Sequence, residues 1–236
     1  MLEVTRRHII RTGILDFLSC CAALPALAQQ AVKANAGKSP RLNWDAFVER
    51  LELAARQRRG PGWNQVRYTQ QVADLAGSLD LREKLSITRA GRRNLHRSGP
   101  EFQDLLGSAD VQISLITFES GQKIRCHDHP DMTGVMVCAT GSVEVNEYDI
   151  LEAPVRSGCL VKSAGRLHLE PGKGSTLTSR FKNVHSVSAG AFSQIVDIFT
   201  PPYNEERKKN TRWFELEPAP LSGSTDVFVA HPLSGH

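Results

Sequence analysis

His127 and His129 stand one residue apart inside Gly121–Gly141, a stretch (GQKIRCHDHPDMTGVMVCATG) that otherwise reads as β-strand. Successive strand side chains point to opposite faces, so the two imidazoles share one face while Cys126 and Asp128 point the other way. Two imidazoles on one face can grip a single metal ion through bonds of about 2 Å each. The competing reading is a pair of exposed strand histidines. Gly121 and Gly141 bracket the pair and Pro130 follows it, which fits a strand, a turn and a returning strand over Thr133–Ala139 better than a helix.

The remaining chain has to supply elements that hold such a pair. Its 236 residues are 40% hydrophobic and 23% charged, ordinary globular composition. Val111–Phe118 shows partial alternation, and further strands are expected at Ser142–Tyr148, Gly158–Lys162, His168–Glu170, Ser175–Ser179, Val184–Ala189 and Phe192–Phe199. Pro154, Gly158, Gly165, Pro171-Gly172 and Gly190 punctuate them. Many short strands behind a helical start point to a mainly β fold, an antiparallel barrel or jelly roll. Asn43 is placed to cap a helix in which Trp44, Phe47, Val48, Leu51 and Ala55 recur at helical spacing, ending at Gly60-Pro61-Gly62. A second helix is expected over Gln70–Leu79, a loop with a short helix over Arg82–Gly99, and one more helical turn at Glu101–Leu106. The expected division is residues 43–106 as a helical segment packed on the barrel and 107–236 as the barrel with a C-terminal extension.

The N-terminus reads as a targeting segment. Arg6-Arg7 opens a basic start, Gly13–Leu24 is mostly apolar, and Ala26-Leu27-Ala28 is a small-residue cleavage signature before Gln29. Paired arginines suit a twin-arginine export signal over residues 1–28, with 29–42 as a linker, and hence a periplasmic protein. The alternative is a mature amphipathic helix on a cytoplasmic chain. No mature stretch is apolar enough to span a membrane. Removing residues 1–28 takes away three arginines and two acids and leaves a net charge of +3 from +4, too small and dispersed to argue for nucleic acid. Cys126, Cys138 and Cys159 remain after Cys20 and Cys21 leave with the signal. Three cysteines without a C-x-x-C make neither a disulfide framework nor a zinc ribbon, and leave room for a single bridge.

Gly121-x5-His127-x-His129, with Gly141 following, resembles the first motif of the cupins, small double-stranded β-helices of jelly-roll form. The metal-binding glutamate usual in that motif would fall at Gly134, which has no side chain to offer. His185, in Lys182-Asn183-Val184-His185 on a later strand, is the natural third ligand. Three neutral imidazoles leave coordination positions open, as iron(II) oxygen chemistry requires.

A narrower likeness follows from Cys126–Thr133 (CHDHPDMT), Gly141-Ser142, Tyr148-Asp149, Asn183-Val184-His185 and Val196–Tyr203 (VDIFTPPY), which occur in order. Together they resemble the cysteamine dioxygenase and plant cysteine oxidase family of thiol dioxygenases over roughly residues 44–205. The resemblance implies Fe(II) held by His127, His129 and His185, with O2 as co-substrate. The other substrate would be a small thiol or a peptide beginning with cysteine, and the product a sulfinic acid. It also implies an active-site acid at Asp197, placed to contact the substrate amine or to hold a ligand or water. Tyr203 is implied near the iron, its hydroxyl steadying bound oxygen or thiolate. A monomer is expected. Two departures stand out: Asp131 replaces the family's usual glycine, and the stretch Arg207–Phe214 lacks the family's cysteine, so a cysteine–tyrosine cross-link cannot form there. A cupin metalloenzyme with a non-thiol substrate and a metal- or ligand-binding cupin without turnover are the other readings.

Overall fold

Alternation along the strands decides which residues enter the barrel. The computed structural model describes residues 32–33, 41–79, 85, 99–155 and 158–233. The export segment, most of the linker and most of Arg82–Gly99 lie outside the described residues. Among the described residues, twelve strands form two antiparallel six-stranded sheets. The first runs in the order β1 (Val32–Lys33), β8 (Lys173–Leu177), β5 (Thr133–Thr140), β10 (Ser193–Thr200), β3 (Gln112–Phe118), β2 (Glu101–Gly107). The second runs β11 (Phe214–Leu216), β12 (Val227–Pro232), β7 (Gly158–Leu169), β6 (Val143–Val155), β9 (Val184–Ser188), β4 (Lys123–Asp128). The chain is thus mainly β, with its strands wound into a double-stranded β-helix behind an N-terminal helical pair.

One set of alternate residues fills the interior between the sheets: Ile116, Met136, Cys138 and Ile195 from the first, Val143, Val145, Leu169 and Val187 from the second. The other set on the first sheet (Ile113, Leu115, Val135, Val137, Val196, Ile198) packs under two helices. These are α1 (Trp44–Arg56) and α2 (Gln65–Gly77). Asn43 caps α1, its side chain accepting from the Ala46 N–H at 2.9 Å. Asn64 does the same for α2 through Arg67, which is why that helix begins five residues before the expected Gln70. Buried Phe47, Leu51 and Val72 join the helices to the sheet.

Glu101–Leu106 is a strand and not a helical turn, so the barrel begins before residue 107. Phe102, Leu105 and Leu106 carry helix-like spacing, but β3 offers a free edge, and Glu101–Gly107 pairs along it with one irregularity between Asp104 and Leu106. The two short strands expected at Gly158–Lys162 and His168–Glu170 are one strand, β7, paired along most of β6.

Gly141 closes the turn after β5 with φ +73, where an added Cβ would run into the Phe192 carbonyl and the Ser193 side chain. Left-handed backbone and close approach both demand glycine here. Gly141→Ala is expected to cost about 2–4 kcal/mol, seen as a lower denaturant midpoint in urea unfolding. An unchanged midpoint would contradict this account of the turn.

Candidate metal centre

Two inward-facing rungs oppose each other across the barrel. On the second sheet, His127 pairs with His185 and His185 with Glu147. On the first, Asp104 pairs with Ser114, Ser114 and Met136 both with Asp197, and Met136 with Ser175. Between the rungs lies a cavity of about 370 Å³ lined by the three histidines, Asp197, Phe199, Tyr203 and Trp213, with Phe102, Asp104 and Lys208 also on its wall.

β4 ends at Asp128, and a register irregularity between Ile124 and His127 re-aims its last residues. His129 follows the strand, yet its ring centroid is 4.6 Å from that of His127 and 5.0 Å from that of His185, with 4.7 Å between His127 and His185. One ligand nitrogen from each of the three lies within 4.8 Å of the others, and all three residues are buried. The His127 Nδ1–H donates to the Arg125 carbonyl at 2.8 Å, which leaves Nε2 as the free ligand atom. His129 is sharper evidence: both ring nitrogens are buried and neither has a hydrogen-bond partner. An imidazole so orphaned costs free energy unless something binds it, and a metal ion is what three converging imidazoles fit. Burial pushes the His127 pKa down to about 4. Burial, reinforced by the neighbouring imidazoles, holds His129 and His185 well below the usual range. All three are therefore neutral, the form that ligates a metal.

Gly134, where the resemblance would put a metal-binding glutamate, has crowded surroundings. A Cβ at Gly134 would lie 3.0 Å from Phe199 Cε1 and 3.1 Å from Leu177 Cγ, and the Phe199 ring instead packs on His129 at 4.6 Å. Asp131 has φ +57, the left-handed backbone that glycine adopts freely and aspartate tolerates.

Asp197 sits in a strand whose eight residues are all buried, because helices cover its outer face and the cavity its inner one. Its carboxyl therefore has no exposed face to occupy. Burial raises its pKa to about 7, against the lowering effect of the Ile198 N–H. Tyr203 lies on the same wall, its ring 5.8 Å from His129. Its hydroxyl, however, is 2.6 Å from Thr211 Oγ1, whose own proton goes to the Arg207 carbonyl, so Tyr203 donates to Thr211.

Four contributors were not expected. Asp128, on the far side of β4, accepts from the Arg212 backbone N–H and the Arg212 guanidinium, each at 2.7 Å. That clamp lays Trp213 on the His127 ring at 4.7 Å and 23°. Asn183 Oδ1 accepts from the His129 N–H at 2.8 Å. The H-x-H spacing marks the ligands, while the aspartate between them gains meaning only when Arg212 returns across the sheet. Cys126 packs with Val161, Val184 and Phe214, and burial pushes its thiol up to about 12, which keeps it unreactive. Cys126, Cys138 and Cys159 are all free.

Among solved structures, a cupin superfamily protein from Desulfitobacterium hafniense is 14% identical, with 46% of this chain and 83% of that chain covered and a TM-score of 0.35. A protein with a double-stranded β-helix domain from Klebsiella pneumoniae is 16% identical, covering 49% and 81%, with a TM-score of 0.37. No curated protein sequence matches the chain. The PCO_ADO family model, which represents plant cysteine oxidases and cysteamine dioxygenase, matches residues 75–229 and so takes in all three histidines, Asp197 and Tyr203. With about two thirds of its length matched, the chain belongs to this family of thiol dioxygenases.

Proposed function

We propose that this protein is an iron(II)-dependent thiol dioxygenase that converts a small thiol or a cysteine-initiated peptide to its sulfinic acid. The observation that carries the reading is His129, buried with both ring nitrogens unpartnered beside two further neutral imidazoles. When bound by His127, His129 and His185, iron(II) would supply the redox chemistry that adds both atoms of O2 to sulfur. The protein's own residues do the rest. The Arg125 carbonyl fixes the His127 tautomer and Trp213 fixes its plane. Asp197, across the cavity from the histidines, would receive the ammonium of an aminothiol, which lowers the carboxyl pKa and turns the thiol end toward the imidazoles. Ile116, Ile124, Met136 and Phe199 make the wall apolar and limit water. Tyr203 buttresses the wall through Thr211 and Phe199.

The paired arginines and the Ala-x-Ala site support export to the periplasm as part of this reading. Among the described residues no helix is long and apolar enough to cross a membrane.

The test is oxygen consumption by the anaerobically Fe(II)-loaded protein with cysteamine, cysteine and a cysteine-initiated peptide. Uptake with one of them identifies the substrate. No uptake from well-loaded protein would favour a non-thiol substrate or a binding role.

A further inference from the structure

Glu147 is a buried carboxylate that the proposed reaction leaves unused. It is 1% exposed and stands directly opposite His185 in the β6–β9 pair. Directly opposed residues on antiparallel strands project to the same face, Cβ atoms about 4.5–5.5 Å apart. Glu147 therefore shares the inward face with the third histidine. Its neighbours agree: Val145 lies in the barrel interior, and Asn146 turns the other way to reach Ser186 Oγ at 3.3 Å.

Two groups anchor the carboxylate. Ser175 Oγ donates to Oε1, tying the second sheet to the first. Lys182 Nζ lies 2.8 Å from Oε2, its side chain 13% exposed. Lys182 itself adopts φ +55 and donates its backbone N–H to Asp149 Oδ1 at 2.5 Å. Asn183 comes next, bonded to the His129 N–H and to the Ser179 carbonyl. The ion pair thus grips the turn from which β9 emerges, three residues before His185. A buried ion pair adds little stability over apolar residues of the same volume, so stability alone does not account for its place beside a ligand.

Resting on the metal-centre reading above, we propose that Glu147 is a positioning residue for His185. Anchored by Ser175 and Lys182, it fixes the turn and the rung from which the third imidazole reaches the metal. Glu147 stands outside the cluster of converging ligand atoms, so it acts through His185 and not as a fourth ligand.

The test is Co(II) titration of the full chain, reading affinity and the visible absorption of the bound ion. Glu147→Gln is expected to weaken Co(II) binding by about 10–100-fold and to shift the absorption bands. Ser175→Ala should move both in the same direction by less. The double variant Glu147→Leu/Lys182→Met removes the buried charges together and should recover the thermal midpoint while keeping the weak affinity and altered spectrum. A double variant with wild-type affinity and spectrum would overturn the proposal, since the pair would then serve the fold alone. Wild-type affinity in Glu147→Gln would do the same. Should the single variant not fold, the double variant and Ser175→Ala decide. A wild-type chain that binds no Co(II) would instead bring down the metal-centre reading, and this inference with it.

Discussion

Replacing His129 with alanine is expected to abolish metal uptake and, with it, thiol-dependent oxygen consumption. The two nitrogens of this buried ring have no partner within the protein, so its place is explained by what it binds. Two remaining imidazoles hold a divalent ion far more weakly than three. The readout independent of turnover is the thermal midpoint. Metal at roughly 100-fold over its Kd should stabilise the wild-type fold by about 2.7 kcal/mol, and His129→Ala should show no such gain. The metal-free variant should differ little from metal-free wild type, because the lost ring packing is offset by removal of two unsatisfied buried nitrogens. A metal-dependent rise in the midpoint of His129→Ala equal to wild type would remove this histidine from the centre.

Asp197→Asn should separate activity from stability. If the carboxylate holds a substrate ammonium, its loss removes a charge-assisted hydrogen bond of about 1.5–3 kcal/mol, roughly 10–100-fold in kcat/KM for an aminothiol. A thiol without an amine should lose much less. Stability moves the other way. The folded pKa of about 7 lies above the ordinary value of 3.8, so between these limits the folded apoprotein binds a proton that the unfolded chain does not. That contribution is fully present below about pH 3.8 and is lost as pH rises through 7. Asparagine has no such dependence. The metal-free variant should therefore gain on wild type as pH rises, melting higher at pH 8, with the advantage shrinking toward pH 4. Parallel midpoint–pH curves for the two proteins would show that Asp197 is not held neutral by burial.

The parts of this site that were legible in the sequence are those set by period and punctuation. His127 and His129 fall on one face because strand side chains alternate, and Gly121 and Gly141 announce the turns around them; φ at both is positive. His185 was legible only through the family resemblance, since nothing local says that β9 pairs with β4. The exposure of Asp197 could not be decided from Ile195–Phe199 because the answer lies in α1 and α2, which cover the outer face of β10. Glu101–Leu106 misled because local spacing resembles a helix while the open edge of β3 imposes a strand. Glu144 and Glu147 look alike in VEVNE, yet alternation and an odd spacing send one outward to Arg166 and His168 and the other inward to Ser175 and Lys182. Trp213 could not be linked to His127 without the Asp128–Arg212 clamp that joins segments more than eighty residues apart.

In the proposed reaction His127, His129 and His185 would hold iron(II), which would supply the chemistry that adds both atoms of O2 to a thiol sulfur. The most direct measurement is mass analysis of the product formed under oxygen-18 gas by the Fe(II)-loaded protein, with His185→Ala as control. A sulfinic acid carrying two oxygen-18 atoms is expected from the wild type and no product from the variant. A product carrying one label or none, or equal turnover by His185→Ala, would contradict the proposed reaction.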